Sequence, residues 1–111
     1  MKLNLKVKII ILMAIFFLPG MAMATDNDGS ILTIVSPKNG EVVGEQVKIT
    51  YELKKGTQGD HVHAYVDGKY QKGFEGTLMG LTPGMHKITL KVANSDHDVL
   101  ATSDSIEIEV K

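Results

Sequence analysis

The chain has 111 residues, with twelve lysines and no arginine, thirteen acidic residues, four histidines and no cysteine. That length holds one domain and is too short for a multilayer enzyme scaffold with a deep pocket. The lack of cysteine excludes disulfide staples, thiolate zinc sites, blue copper, iron–sulfur clusters and thiol catalysis.

The first segment reads as an address. Lys2, Lys6 and Lys8 precede an unbroken apolar run, Ile9–Leu18, which Pro19-Gly20 ends. Ala22-Met23-Ala24 then supplies the small-x-small pattern of a signal-peptidase site. The run is shorter than the roughly 20 apolar residues that span a bilayer. Residues 1–24 are therefore expected to be a cleaved signal peptide, and Thr25 the first mature residue. Its removal takes three lysines and leaves nine against thirteen acids, a net charge of about −4. That balance argues against nucleic acid or an anionic membrane surface as partner. Lysine-only basic usage and the compact leader fit a bacterial product, periplasmic or secreted.

In the mature chain the hydrophobic period is two. Thr25–Ser30 is polar and reads as a flexible arm (25–30), ahead of one domain over 31–111. Ile31–Val35 is a short strand, closed by the turn cluster Ser36-Pro37-Lys38-Asn39-Gly40, and Glu41–Val43 continues the same edge. Gln46–Leu53 alternates, with Val47, Ile49, Tyr51 and Leu53 on one face. After a Gly-rich loop, His61–Val66 alternates again, with Val62, Ala64 and Val66 inward. Asp67-Gly68 is a hairpin turn signal. Lys69–Phe74 and Gly76–Leu81 read as weaker strands. His86–Ala93 places Ile88, Leu90 and Val92 inward. Asn94–Asp104 reads as a long polar loop containing Val99-Leu100, and Ser105–Lys111 closes the domain with Ile106, Ile108 and Val110 inward. About seven short strands separated by turn signals predict an all-β, antiparallel two-sheet sandwich.

Two stretches carry a family resemblance. Ile34-Val35-Ser36-Pro37-Lys38-Asn39-Gly40-Glu41-Val42-Val43 resembles the first strand of bacterial Ig-like and fibronectin-III-like extracellular domains. Leu81-Thr82-Pro83-Gly84-Met85-His86-Lys87-Ile88-Thr89-Leu90 resembles their penultimate strand. With His61-Val62-His63-Ala64-Tyr65-Val66-Asp67-Gly68, the pattern is similar to a group of small periplasmic Ig-like domains of unsettled role. Those carry a histidine-rich third strand and another histidine in the late loop. The resemblance covers nearly all of the mature chain. It implies a seven-stranded antiparallel Ig-like β-sandwich and says little about function.

Histidine is the constellation that carries chemistry. His61 and His63 are two apart on a strand, so both leave the same face, opposite Val62, Ala64 and Val66. Imidazole pairs suit copper or zinc, and the Irving–Williams order favours copper. In an Ig-like sandwich the third and sixth strands are antiparallel neighbours. The loop after Ala93, with Asp96, His97 and Asp98, would then approach the pair. The expected metal set is His61, His63 and His97, with Asp60, Asp96 or Asp98 as oxygen donors. Against it stands Lys91, an outward cation on the neighbouring strand. His86 shares the parity of Ile88, Leu90 and Val92, at a position where related sandwiches place a capping tyrosine, and reads as a structural imidazole. Met79 and Met85 read as packing rather than as thioether ligands. No nucleophile elbow, carboxylate pair or phosphate loop supports catalysis. The expected function is thus a non-enzymatic exported protein, buffering or delivering a copper or zinc ion. The alternative is an Ig-like interaction module that binds an envelope protein or a glycan, as a monomer or weak dimer.

Overall fold

The computed structural model describes residues 27–111. The expected signal peptide and residues 25 and 26 lie outside them. Among the described residues there is no helix, and hence none long and apolar enough to cross a membrane.

Nine strand segments follow one another: β1 (Ile31–Ser36), β2 (Val42–Val43), β3 (Val47–Lys48), β4 (Thr50–Lys54), β5 (His61–Val66), β6 (Lys69–Tyr70), β7 (Thr77–Leu78), β8 (Gly84–Ala93) and β9 (Val99–Val110). One layer is a five-stranded sheet in the order β2-β9-β8-β5-β6. The other is built on Val47–Lys54, whose first part pairs with β7 and whose second part pairs with β1. β3 and β4 are one pass of chain interrupted at Ile49, whose N–H donates to the Gly76 carbonyl at 2.7 Å. β1 and β2 are one edge divided between the layers, with buried Pro37 between them and a cis Ser36-Pro37 peptide. The all-β sandwich expected from the sequence is thus present, with nine strand segments among the described residues.

Alternation explains the core. Val62, Ala64 and Val66 from β5, Ile88, Leu90 and Val92 from β8, and Ile106, Ile108 and Val110 from β9 all face inward. They meet Leu32, Ile34, Val47, Ile49, Leu78 and Leu81 of the second layer. β8, flanked by β5 and β9, supplies three of the largest fully buried side chains, Ile88, Leu90 and Val92. The Asp67-Gly68 signal gives a two-residue hairpin, Val66 pairing with Lys69, in which both turn residues have positive φ (52° and 86°).

Three local readings change. β2 runs parallel to β9, not antiparallel, because the chain crosses layers before it and then follows the last strand in its own direction. The long loop expected over Asn94–Asp104 is a five-residue turn: Val99 already pairs with Ala93, and β9 begins there. The inward positions of its first half are Leu100, Thr102 and Asp104, and the two polar ones find backbone partners. Thr102 Oγ1 donates to the Ser30 carbonyl at 3.2 Å, and Asp104 Oδ2 accepts the Ile34 N–H at 2.8 Å.

The described end of the expected arm is also anchored. Asp28 accepts the N–H groups of Gln58 (2.8 Å), Gly59 (2.7 Å) and Ser30 (3.0 Å) and the Ser30 hydroxyl (3.0 Å). Ser30 Oγ in turn accepts the Gly56 N–H at 2.9 Å. The loop and the arm approach so closely that a Cβ at Gly56 would strike the Asp28 and Ser30 backbone. This staple holds the segment that leads into β5. The Gln58 amide, followed by the others, lowers the Asp28 carboxyl to about 2 from an ordinary 3.8. A depressed carboxylate stabilises the fold fully above its unfolded value, and that contribution is lost as pH falls through the folded one. Asp28→Asn should therefore be less stable than the parent at neutral pH in chemical denaturation. The gap should close as pH is lowered from about 4 to about 2.

Candidate metal centre

The β5–β8 ladder positions the site. His61 lies opposite Ala93, the last residue of β8, and His63 lies opposite Lys91. The Asp60 N–H extends the ladder by donating to the Ala93 carbonyl at 2.9 Å. The chain leaving Ala93 turns back at once, and Asn94 organises that turn. Its side-chain oxygen accepts the N–H groups of Asp96 and Asp98, both at 2.9 Å. Its N–H donates to the Asp98 carbonyl, and its own carbonyl accepts the His97 N–H, again at 2.9 Å each. His97 is thereby held at φ 70°, a left-handed conformation that few non-glycine residues adopt.

The turn sets His97 over the strand pair. His61 Nε2 lies 3.1 Å from His63 Nε2 and 3.2 Å from His97 Nδ1. One nitrogen from each ring falls within 4.8 Å of the others. Two imidazoles bound to one tetrahedral zinc at about 2.0–2.1 Å would place their nitrogens about 3.3 Å apart. The two short separations are close to that value. His61 and His63 are half-buried, and His97 is exposed.

Asp60 has a different place from the one expected. Its carboxylate accepts the His61 Nδ1–H at 2.8 Å, on the side of the ring away from the cluster. That bond leaves the Nε2 lone pair of His61 facing His63 and His97. It is also the main reason the Asp60 carboxyl is held below its ordinary value. A carboxylate behind a ligating imidazole orients the ring and raises its basicity. Asp60 thus stands behind the histidines, and Asp96 and Asp98 serve the turn through their backbone. The group that converges is His61, His63 and His97. Burial, followed by the neighbouring His61 and His97, holds the His63 imidazole below its ordinary pKa. A neutral ring is the form that binds a metal ion.

The side chains around the cluster are aromatic. The Tyr70 ring lies 5.1 Å from the His63 ring and 5.7 Å from Tyr65. Lys91, the cation expected to oppose a metal, has its ammonium 4.6 Å from the centre of the Tyr65 ring. The Tyr65 π-face therefore offers that charge a partner. Met79 and Met85 are exposed (70 % and 60 %) and stand outside the histidine group. Asn94, which builds the turn that carries His97, is not singled out by the sequence pattern. Its signal is an asparagine at the head of a polar turn, where its side chain can mimic a backbone acceptor.

His86 sits at the other end of the ladder. Its Nδ1–H donates to Asp67 Oδ2 at 2.6 Å and its Nε2–H to the Thr82 carbonyl at 2.6 Å. Both ring nitrogens face acceptors, an arrangement that favours the imidazolium form and clasps two turns together. Asp67, then the Thr82 carbonyl, holds its pKa above the ordinary 6.5. A raised histidine stabilises the fold fully below its unfolded value, and the contribution is lost as pH rises through the folded one. His86→Gln should cost stability at about pH 6 and progressively less in the alkaline range, as read by denaturation of both proteins across pH.

No family model matches the chain, and no curated protein matches it. Solved structures do. An endo-β-1,4-mannanase from Thermotoga petrophila superposes with a TM-score of 0.58 at 15 % identity, over 78 % of this chain and 20 % of that one. The chain thus spans about a fifth of the mannanase. A fibronectin(III)-like module of Clostridium thermocellum CbhA superposes with a TM-score of 0.54 at 24 % identity, over 73 % of this chain and 97 % of the module. The fold is a fibronectin-III-like sandwich. At these identities the likeness speaks for the fold alone.

Proposed function

We propose that this is an exported, non-catalytic protein that binds one copper or zinc ion at His61, His63 and His97, for buffering or delivery in the periplasm or medium. The observation that carries the reading is the convergence of one nitrogen from each ring within 4.8 Å, two from β5 and one from the turn after β8. Nitrogen donors without thiolate or thioether favour copper over zinc by the Irving–Williams order. Half-burial of two ligands and exposure of the third leave the ion within reach of an exchanging partner, as a carrier needs. The leader of lysines and apolar residues supports export.

A second reading is an interaction module for a glycan or protein. It draws on the likeness to a glycosidase structure and a fibronectin(III)-like module. Half-exposed Tyr70, beside Tyr65, adds an aromatic surface to it.

Calorimetric titration of the mature domain with Cu(II) and Zn(II) separates the two. The metal reading expects one ion per chain, bound tighter than micromolar. It expects binding to be lost in His61→Ala/His63→Ala with little change in thermal stability, since neither ring belongs to the core. Asp60→Asn should weaken binding about 10- to 100-fold without abolishing it. Absence of binding, or weak binding unchanged in the double variant, would remove the metal reading and leave the module.

A further inference from the structure

The three histidines line a cleft of about 190 Å³ together with Tyr70, the last residue of β6, and Gln71 and Phe74 beyond it. An ion held by the three imidazoles therefore borders this cleft. Among the described residues, the cleft lining contains no carboxylate, thiolate or further imidazole to act as a fourth strong ligand. Its weaker oxygen donors are the Tyr70 hydroxyl and the amide oxygen of Gln71, whose side-chain N–H donates to the Lys69 carbonyl at 2.9 Å. A three-histidine ion needs at least one more donor to complete a tetrahedral shell.

The rest of the lining selects among donors. Tyr70 is half exposed at the rim, and its ring lies beside that of His63. Phe74 packs on the hydrophobic core and is partly buried. Two aromatic side chains in the lining offer a flat ligand a stacking surface. The lining holds no lysine or arginine to pair with a carboxylate. The cleft therefore fits a neutral planar nitrogen donor.

We propose that the fourth coordination position is filled from outside the chain by an imidazole, seated in the cleft against Tyr70 and Phe74. This rests on the metal reading and names the ligand through which the ion is handed on. The same chemistry can come from a free imidazole compound or from a histidine side chain of a partner protein. In either case the incoming nitrogen lone pair forms a fourth bond to the ion and displaces a water, with no change of oxidation state.

The test uses the mature protein loaded with one equivalent of Cu(II). Copper uptake, measured first without added ligand, tests the underlying metal reading. Imidazole is then titrated in and followed by the visible band and by electron paramagnetic resonance, with ultrafiltration to show that copper stays on the protein. A saturable change that adds one nitrogen to the copper signal is expected. With copper held saturating, Tyr70→Ala should weaken imidazole binding about fivefold. Phe74→Leu, which keeps an apolar side chain against the core, should act in the same direction. Azide, which has no ring to stack, should bind the parent and Tyr70→Ala alike. An acetylated, amidated peptide with a single histidine separates the sources. Binding as tight as imidazole points to a partner's side chain, and exclusion points to a free compound. Copper that binds but takes up no imidazole, or takes it up equally in the parent and both aromatic variants, would overturn the proposal and leave the metal site standing.

Discussion

The pairing of His61 with Ala93 is the constraint on which the chemistry of this fold depends. It places the first residue of one strand against the last residue of its neighbour, so whatever turn follows Ala93 must stand beside His61. Strand faces alternate, and a slip of one residue would send His61 and His63 inward and Val62 and Ala64 to solvent. The apolar cost of that slip is carried by fully buried Ala64, Leu90 and Val92. The core therefore fixes the register, and the register brings the three imidazoles together.

Much of this was legible in the alternation alone. The outward face of His61 and His63, the inward parity of His86 and the two-residue turn at Asp67-Gly68 all follow from period-two patterning and turn chemistry. The approach of His97 needed one further step, the neighbour relation between the third and sixth strands. What escaped was set by partners distant in sequence. Thr102 and Asp104 break the apolar alternation of β9 and so read as loop, yet they face inward because they bond backbone groups 72 and 70 residues away. Asp28 read as part of a loose arm because the N–H groups it accepts lie about thirty residues on, in a loop whose only local signal is its glycines. Asp60 read as an oxygen donor because spacing cannot say which nitrogen of His61 a carboxylate will meet.

The two ends of the β5–β8 ladder use the same pair of residue types for opposite ends. At one end Asp67 and the Thr82 carbonyl occupy both nitrogens of His86, and the ring becomes a brace with no nitrogen left over. At the other, Asp60 occupies one nitrogen of His61 and leaves the second free to face its neighbours. The difference is the number of acceptors that each corner supplies. With only one acceptor behind it, His61 keeps a lone pair for other work.

The parallel contact between β2 and β9 bears on how the domain carries load. It joins the edge near the amino end of the domain to its last strand, through bonds from Gly40 to Glu107, Glu109 to Glu41 and Lys111 to Val43. The Glu107 N–H adds a fourth bond, to the Asn39 side chain at 2.7 Å. Tension applied between the two ends of the chain pulls parallel partners in opposite directions along their common axis. These bonds are then loaded together in shear instead of opening one at a time like a zipper. A domain stretched between two anchor points would resist through this short seam, at the edge of the sheet remote from β6 and the histidine cleft.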